Sequence, residues 1–252
     1  VGVYAKNAEK TAEIMSVIAG HDDKDGTSLR NDKYDYSITE VKGKKVAVNK
    51  YMLDKADEMT KAKVLAFADS LRANGVEVVE VSCDNVEIAN TAWQILMCAE
   101  TCNNVSRYDG VKYGHRTEQY RNIDELYVKS RTEGFNFLTK AVILYGSDVL
   151  SKNRYKDCYD KSLRVRRVVA DATKELLGKY DAILAPVCSK TEYTAYDIKD
   201  AFTKVFEESV FTALPNLIGT PALVSGGVQL MGKHFSESVL LSLANSVERK
   251  GE

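Results

Sequence analysis

Lys45-Val46-Ala47-Val48, followed by Glu58 to Leu71 and then by Asn74-Gly75-Val76-Glu77-Val78-Val79-Glu80-Val81, decides the fold class. The first four residues read as a short buried strand. Glu58 to Leu71 reads as an amphipathic helix ending at Asn74-Gly75, and Val76 to Val81 as a second strand with Val76, Val78 and Val79 apolar. Strand, helix, strand in so short a span predicts a right-handed crossover between parallel strands, and hence an α/β domain.

The flanking sequence fits that plan. Asn7 to Ala19 reads as a helix, with Ala8, Ala12, Met15 and Ile18 at three- and four-residue spacing, Asn7 as its cap and Gly20 as its stop. Asn85 to Cys102 is a second helix with Ile88, Ala92, Ile95, Leu96 and Ala99 on its apolar side, and Ile123 to Arg131 and Phe135 to Leu150 follow as helices. Tyr155 to Leu177 is a longer helix with Val165, Val168, Val169, Ala172 and Leu176 inside. Asp181-Ala182-Ile183-Leu184-Ala185-Pro186 is uninterrupted apolar chain ending in proline, as expected of a central, buried strand. Ile198 to Phe211 is expected to be helical, Pro215 to Pro221 turn-rich, Gly227 to Met231 a strand and Glu237 to Val247 a closing helix. No internal repeat or low-complexity linker interrupts the chain, so residues 1–252 are expected to form a single domain.

Composition narrows the function classes. Apolar residues make up 44% and charged residues 28% of 252, the balance of a globular chain that can bury a core. A net charge of -1 supplies no global field toward nucleic acid or a membrane surface. No apolar run reaches the ~18 residues that a membrane span needs. No leader of charged then apolar residues is seen at Val1, so no secretory signal is expected. Cys83, Cys98, Cys102, Cys158 and Cys188 are odd in number and scattered, which favours reduced thiols and a cytoplasmic setting, with the mitochondrial matrix as the alternative.

A loop-like run, Asn104-Val105-Ser106-Arg107-Tyr108-Asp109-Gly110-Val111-Lys112-Tyr113-Gly114-His115-Arg116, carries the family signal. Six further islands keep it company in order. They are Ala8 to Asp22, Val41 to Val48, Ser130-Arg131-Thr132-Glu133-Gly134-Phe135, Tyr180 to Pro186, Asn216-Leu217-Ile218-Gly219-Thr220-Pro221-Ala222, and Gly227 to Lys233. Together they resemble the amidase-signature enzymes, and within them the A-subunit family of the aspartyl/glutamyl-tRNA(Asn/Gln) amidotransferases. Each island alone is weak, but seven in register cover nearly the whole chain. The implied fold is a mixed sheet flanked by helices, here the C-terminal portion and incomplete at its N-terminal side.

The resemblance implies glutamine hydrolysis through an acyl-serine, with ammonia delivered to a partner that amidates mischarged tRNA. It calls for a serine nucleophile, a second serine and an activating lysine in a Gly/Ser-rich segment, plus oriented N–H groups for the oxyanion. No Gly-Gly-Ser-Ser-Gly-Gly-Ser-like run exists in these residues, so no catalytic residue is assigned and the chain by itself is expected to be inactive. Counting back from Arg107, the family's pocket tyrosine falls on Trp93. Counting forward, its carboxylate-gripping arginine falls on Val142, which has no forked donors to offer. The acid that meets the substrate ammonium falls on Ser209, and a one-residue shift places it on Glu208. The span from Pro221 to Gly227 is also shorter than the family's usual loop. No cofactor or metal is implied. The expected partners are a B-subunit-like protein, a complementary N-terminal piece or a second copy, with tRNA contacted only indirectly. Two rival functions remain: a non-catalytic scaffold, and a trimmed amidase acting on an amide other than an amino acid's.

Plainer readings stand beside these. Trp93 on an apolar helix usually fills space. Cys98 and Cys102 at i, i+4 are half a metal site at most, and buried thiols are the simpler account. Lys161, Arg164, Arg166 and Arg167 read as a solvated helix face balanced by Asp157, Asp160 and Asp171. Arg107 and Asp109 read as residues that pin a loop, and Ser225-Gly226-Gly227 as a strand-linking turn rather than a nucleophile site.

Overall fold

The computed structural model describes residues 2–30, 34–83, 85–190 and 198–248. Helix α1 (Ala8–Ile18) precedes strand β1 (Lys45–Asn49), the short helix α2 (Lys50–Lys55), helix α3 (Glu58–Ala73) and strand β2 (Glu77–Val81). β1 and β2 are parallel, in register from Lys45 opposite Glu77 to Asn49 opposite Val81, as the crossover pattern predicts. Asn7 Oδ1 caps α1 by accepting from Lys10 N at 2.9 Å, and Asp57 Oδ1 caps α3 by accepting from Thr60 N at 2.7 Å. Gly75, at φ +80, lets the chain leave α3 and enter β2.

Four helices follow before the next strand: α4 (Val86–Val105), α5 (Ile123–Gly134), α6 (Phe137–Val149) and α7 (Lys161–Lys179). Strand β3 (Ala182–Pro186) is buried at every position. After it come α8 (Ile198–Glu208), α9 (Ala213–Ile218), β4 (Ala222–Ser225), β5 (Val228–Gly232) and α10 (Glu237–Glu248). The sheet order is β2-β1-β3-β5-β4, with β1 parallel to both neighbours and β5 antiparallel to β3 and β4. This is the mixed sheet expected.

Alternation divides the sheet into two faces. Val46, Val48, Leu184 and Leu230 join a core with Val64 and Leu71 of α3, Leu240 and Leu243 of α10, and Ala8 and Ala12 of α1. Each Val or Leu side chain among these contributes roughly 1.5–3 kcal/mol by leaving water. The opposite face carries Ala47, Asn49, Ile183, Ala185, Gln229 and Met231, all buried. Gln229 Nε2 donates to the carbonyls of Pro186 (2.7 Å) and Phe211.

The chain divides into two compact units. One comprises Val1–Val86, Val169–Tyr193 and Val210–Glu252 and holds the sheet; the other comprises Glu87–Val168 and Thr194–Ser209. Among the described residues, no helix is long and apolar enough to cross a membrane.

Several expectations need correction. α1 stops because Ala19 turns extended (φ -89, ψ 138), not at a left-handed Gly20. The expected turn at Pro215 is helix α9, closed by Gly219 at φ +74; proline is tolerated in its first turn, where no intrahelical N–H bond is lost. α2 and β4 are not legible in the sequence because each is shorter than two turns or five residues. The helix expected from Tyr155 opens with a π-helical turn over Lys156–Asp160. Val168 (59% exposed) and Ile88 (44%) face solvent, so the buried sides of α7 and α4 are narrower than their apolar residues suggest.

Candidate functional site

The pocket positions read from the sequence lie in the second unit, on α4, α6 and α8, with Ser209 opening the 3-10 turn that follows α8. α4 carries Asn90, Trp93 and Gln94 one turn apart. Gln94 Nε2 and Asn90 Nδ2 both donate to the Phe206 carbonyl of α8, at 3.1 and 3.4 Å. The Ser209 hydroxyl donates to the same carbonyl at 2.8 Å, with Asn90 Oδ1 3.3 Å away. Carbonyls in the last turn of a helix have no intrahelical donor, and here side chains supply one. α6 packs against α8, so α4, α6 and α8 are joined.

Trp93 and Val142 are half-buried on α4 and α6. Ser209 is buried, and its hydroxyl is committed to Phe206. Glu208 beside it is half-buried and engaged in an interaction of its own. Asn90 and Gln94, which fasten α8, were not singled out in the sequence; their i, i+4 polar spacing astride Trp93 was the available signal.

The Arg107–Arg116 run is a knot against α5. Asp109 Oδ1 accepts from the backbone N–H of Val111 (2.8 Å) and Lys112 (3.1 Å), bonds that hold its carboxyl below the usual range. Arg131 Nη1 donates to the carbonyls of Val105 (3.1 Å) and Tyr108 (2.9 Å). Gly110 lies at φ +78, and a Cβ there would sit 2.5 Å from Ser130 Oγ. Ser130 is buried and accepts from Thr117 N at 3.0 Å. His115 Nε2 meets Glu133 Oε2 at 2.7 Å, and the Thr117 hydroxyl donates to Glu133 Oε1 at 2.9 Å. These partners fix the loop rather than activate a nucleophile, in line with the plainer reading of Arg107 and Asp109.

Two other candidates have structural jobs. Ser225 ends β4, Gly226 (φ +60) and Gly227 (φ +83) form the two-residue turn into β5, and the Ser225 hydroxyl donates to Glu248 Oε1 at 2.7 Å. Cys98 is fully buried on α4, and burial pushes its thiol up to about 11, which suppresses thiolate chemistry.

Comparison with known proteins places the chain in a family. The family model described as Amidase matches residues 1–241. The chain is 34% identical over 266 residues to the glutamyl-tRNA(Gln) amidotransferase A-subunit of Agathobacter rectalis, covering 100% of this chain and 53% of that protein. It is 36% identical over 264 residues to the corresponding protein of Neisseria meningitidis serogroup A, covering 98% and 54%. The structure of the Thermotoga maritima A-subunit superposes with a TM-score of 0.65 at 23% identity, covering 97% of this chain and 51% of that one. A bacterial aryl acylamidase gives 0.70 at 18% identity, covering 97% and 51%, a likeness of fold alone. The chain belongs to the amidase family. It spans about half the length of the curated relatives it matches.

Proposed function

We propose that these residues form the substrate-side portion of an amidotransferase of the A-subunit type. Support comes from identity spread along the whole chain, 34% over 266 residues with one such relative, and from seven motif islands in register. In this reading glutamine is hydrolysed through an acyl-serine, and the ammonia passes to a B-subunit-like partner that amidates mischarged tRNA. Trp93 serves as an aromatic wall and Glu208 as the carboxylate for the substrate ammonium, while Ser209 holds the end of α8 in place. The tRNA is met through the partner, since a net charge of -1 gives this chain no attraction of its own. The setting is cytoplasmic.

The reading makes residues 1–252 inactive alone, because they contain no Ser-Ser-Lys arrangement. Incubated with glutamine, the 252-residue chain is expected to release no more ammonia than a no-protein control. Mixed with the N-terminal half of an A-subunit relative, it is expected to regain glutamine-dependent release. Ammonia from the chain alone would overturn the inactivity; a mixture that associates yet releases none would overturn the amidotransferase assignment.

A further inference from the structure

A cleft in the first unit has no role in that reading. It encloses about 330 Å³ where the carboxyl end of β2 gives way to α4, with α7 along one side. Ile183, Leu214, Leu176 and Val86 form its aliphatic lining.

The polar lining makes the case. Thr173 on α7 is 8% exposed and faces this cleft, and its hydroxyl has no hydrogen-bond partner among the described residues. Hydroxyls on helices ordinarily return their proton to a carbonyl one turn back, as Thr11, Ser16 and Thr91 do here. Thr173 does not. Asn85 is half-buried, lines the same cleft, and its carboxamide is likewise without a partner among the described residues. Buried polar groups in native proteins are nearly all hydrogen-bonded. The Thr173 hydroxyl and the Asn85 carboxamide, bonded to nothing among the described residues, both open onto this one cavity and offer a donor–acceptor pair to a ligand's polar atoms.

Charge and shape fix the ligand's class. Lys179 Nζ is paired with Glu175 Oε1 at 3.0 Å, so the charged side chains among the described residues that line the cleft neutralise each other. Among the described residues that line it, none is aromatic, so a flat ring finds nothing to stack on. We infer that this cleft binds a small uncharged molecule with a donor–acceptor head, a primary carboxamide or an alcohol, on a short aliphatic body. The Thr173 hydroxyl and the Asn85 carboxamide complete the head's hydrogen bonds, and Ile183, Leu214 and Leu176 cover the body. The site rests on first-unit geometry and stands whether or not the amidotransferase reading does.

Backbone amide shifts of the 252-residue chain, followed by NMR during titration with butyramide and with 1-butanol, test the assignment. Saturable shifts confined to residues around Ser82, Thr173, Ile183 and Leu214 are expected with at least one of them. The doubly substituted Thr173→Val, Asn85→Leu chain should bind at least ~5-fold more weakly, since each lost hydrogen bond is worth roughly a fewfold in affinity. Thr173→Ser, which keeps the hydroxyl, should bind as the parent does and serves where the double variant fails to fold. Absence of saturation with both probes, shifts centred elsewhere, unchanged affinity in the double variant, or tighter binding of butyrate or butylamine would overturn the proposal.

Discussion

Thr60 and Asn49 show how a buried polar group can be half-satisfied. Thr60 donates its backbone N–H to Asp57, and its hydroxyl, on a residue 1% exposed, has only the same Asp57 carboxylate near it and makes no well-aligned hydrogen bond; Asn49 Oδ1 caps α2 through Met52 N at 3.1 Å, while its Nδ2 has no partner among the described residues. A buried hydroxyl with a poorly aligned partner carries a desolvation cost that is little offset. Thr60→Val removes that hydroxyl at constant shape and leaves the cap intact. It is expected to be neutral or to stabilise by up to about 1 kcal/mol in denaturant unfolding; a loss of stability would show that the hydroxyl is bonded in solution. Glu133 presents a titrating carboxyl. Its hydrogen bonds to His115 and Thr117 hold the carboxyl below its ordinary 4.5. A carboxyl whose pKa is lower folded than unfolded stabilises above the unfolded value, and that contribution fades as pH falls through the lowered folded value. The thermal midpoint of Glu133→Gln should therefore lie below the parent's at pH 7 and converge with it in acid below 4.5. A gap that stays constant down to that range would show that Glu133 does not act through its charge.

Helix contacts explain positions that a residue-by-residue view leaves arbitrary. Gly146 of α6 lies against α4 so closely that an added Cβ would run into the Cys98 carbonyl oxygen and sit 2.7 Å from Cys102 Cβ. The neighbours there include backbone, which cannot rotate aside as a side-chain tip can. Gly146→Ala gains helix propensity, yet overpacking should dominate at about 1–3 kcal/mol of lost stability. Chemical unfolding of the variant measures the sum, and a stability equal to or above the parent's would mean α6 can slide on α4. The same contact accounts for Cys98 and Cys102 without a metal: they are the small side of a helix crossing. In the Arg107–Arg116 knot, Gly110 provides a positive φ and room for Ser130, while Arg131 ties down two loop carbonyls from the next helix.

For the whole molecule, the sheet order leaves β2 and β4 as the outer strands among the described residues. Val79 on β2 is 38% exposed and Val224 on β4 is 56% exposed. Outer strands with unpaired backbone groups and open apolar residues are templates for further chain. Sedimentation of the isolated 252-residue chain at micromolar concentration is expected to show self-association; a single compact monomer would count against it. β2 has a partial safeguard in Glu77 and Glu80, whose charges discourage edge-to-edge pairing, whereas Ala222-Leu223-Val224-Ser225 on β4 carries none.

Periodicity and local chemistry alone determined the α/β class, the parallel β1–α3–β2 unit, the buried β3 and the cap at Asn7, because each depends on residues close together in sequence. Motif order along the chain determined the family in the same way. What only the tertiary structure decided depends on chain segments far apart. A helix's apolar residues do not say which of them a neighbour covers, so Val168 and Ile88 were misplaced, and Pro215 stood in a helix where turn chemistry was expected. The fastening of Phe206 by Asn90, Gln94 and Ser209, and the cleft that Thr173 and Ile183 both line, join residues far apart along the chain or held on separate elements. Such contacts exist only once the sheet has brought its helices together, and no local pattern encodes them.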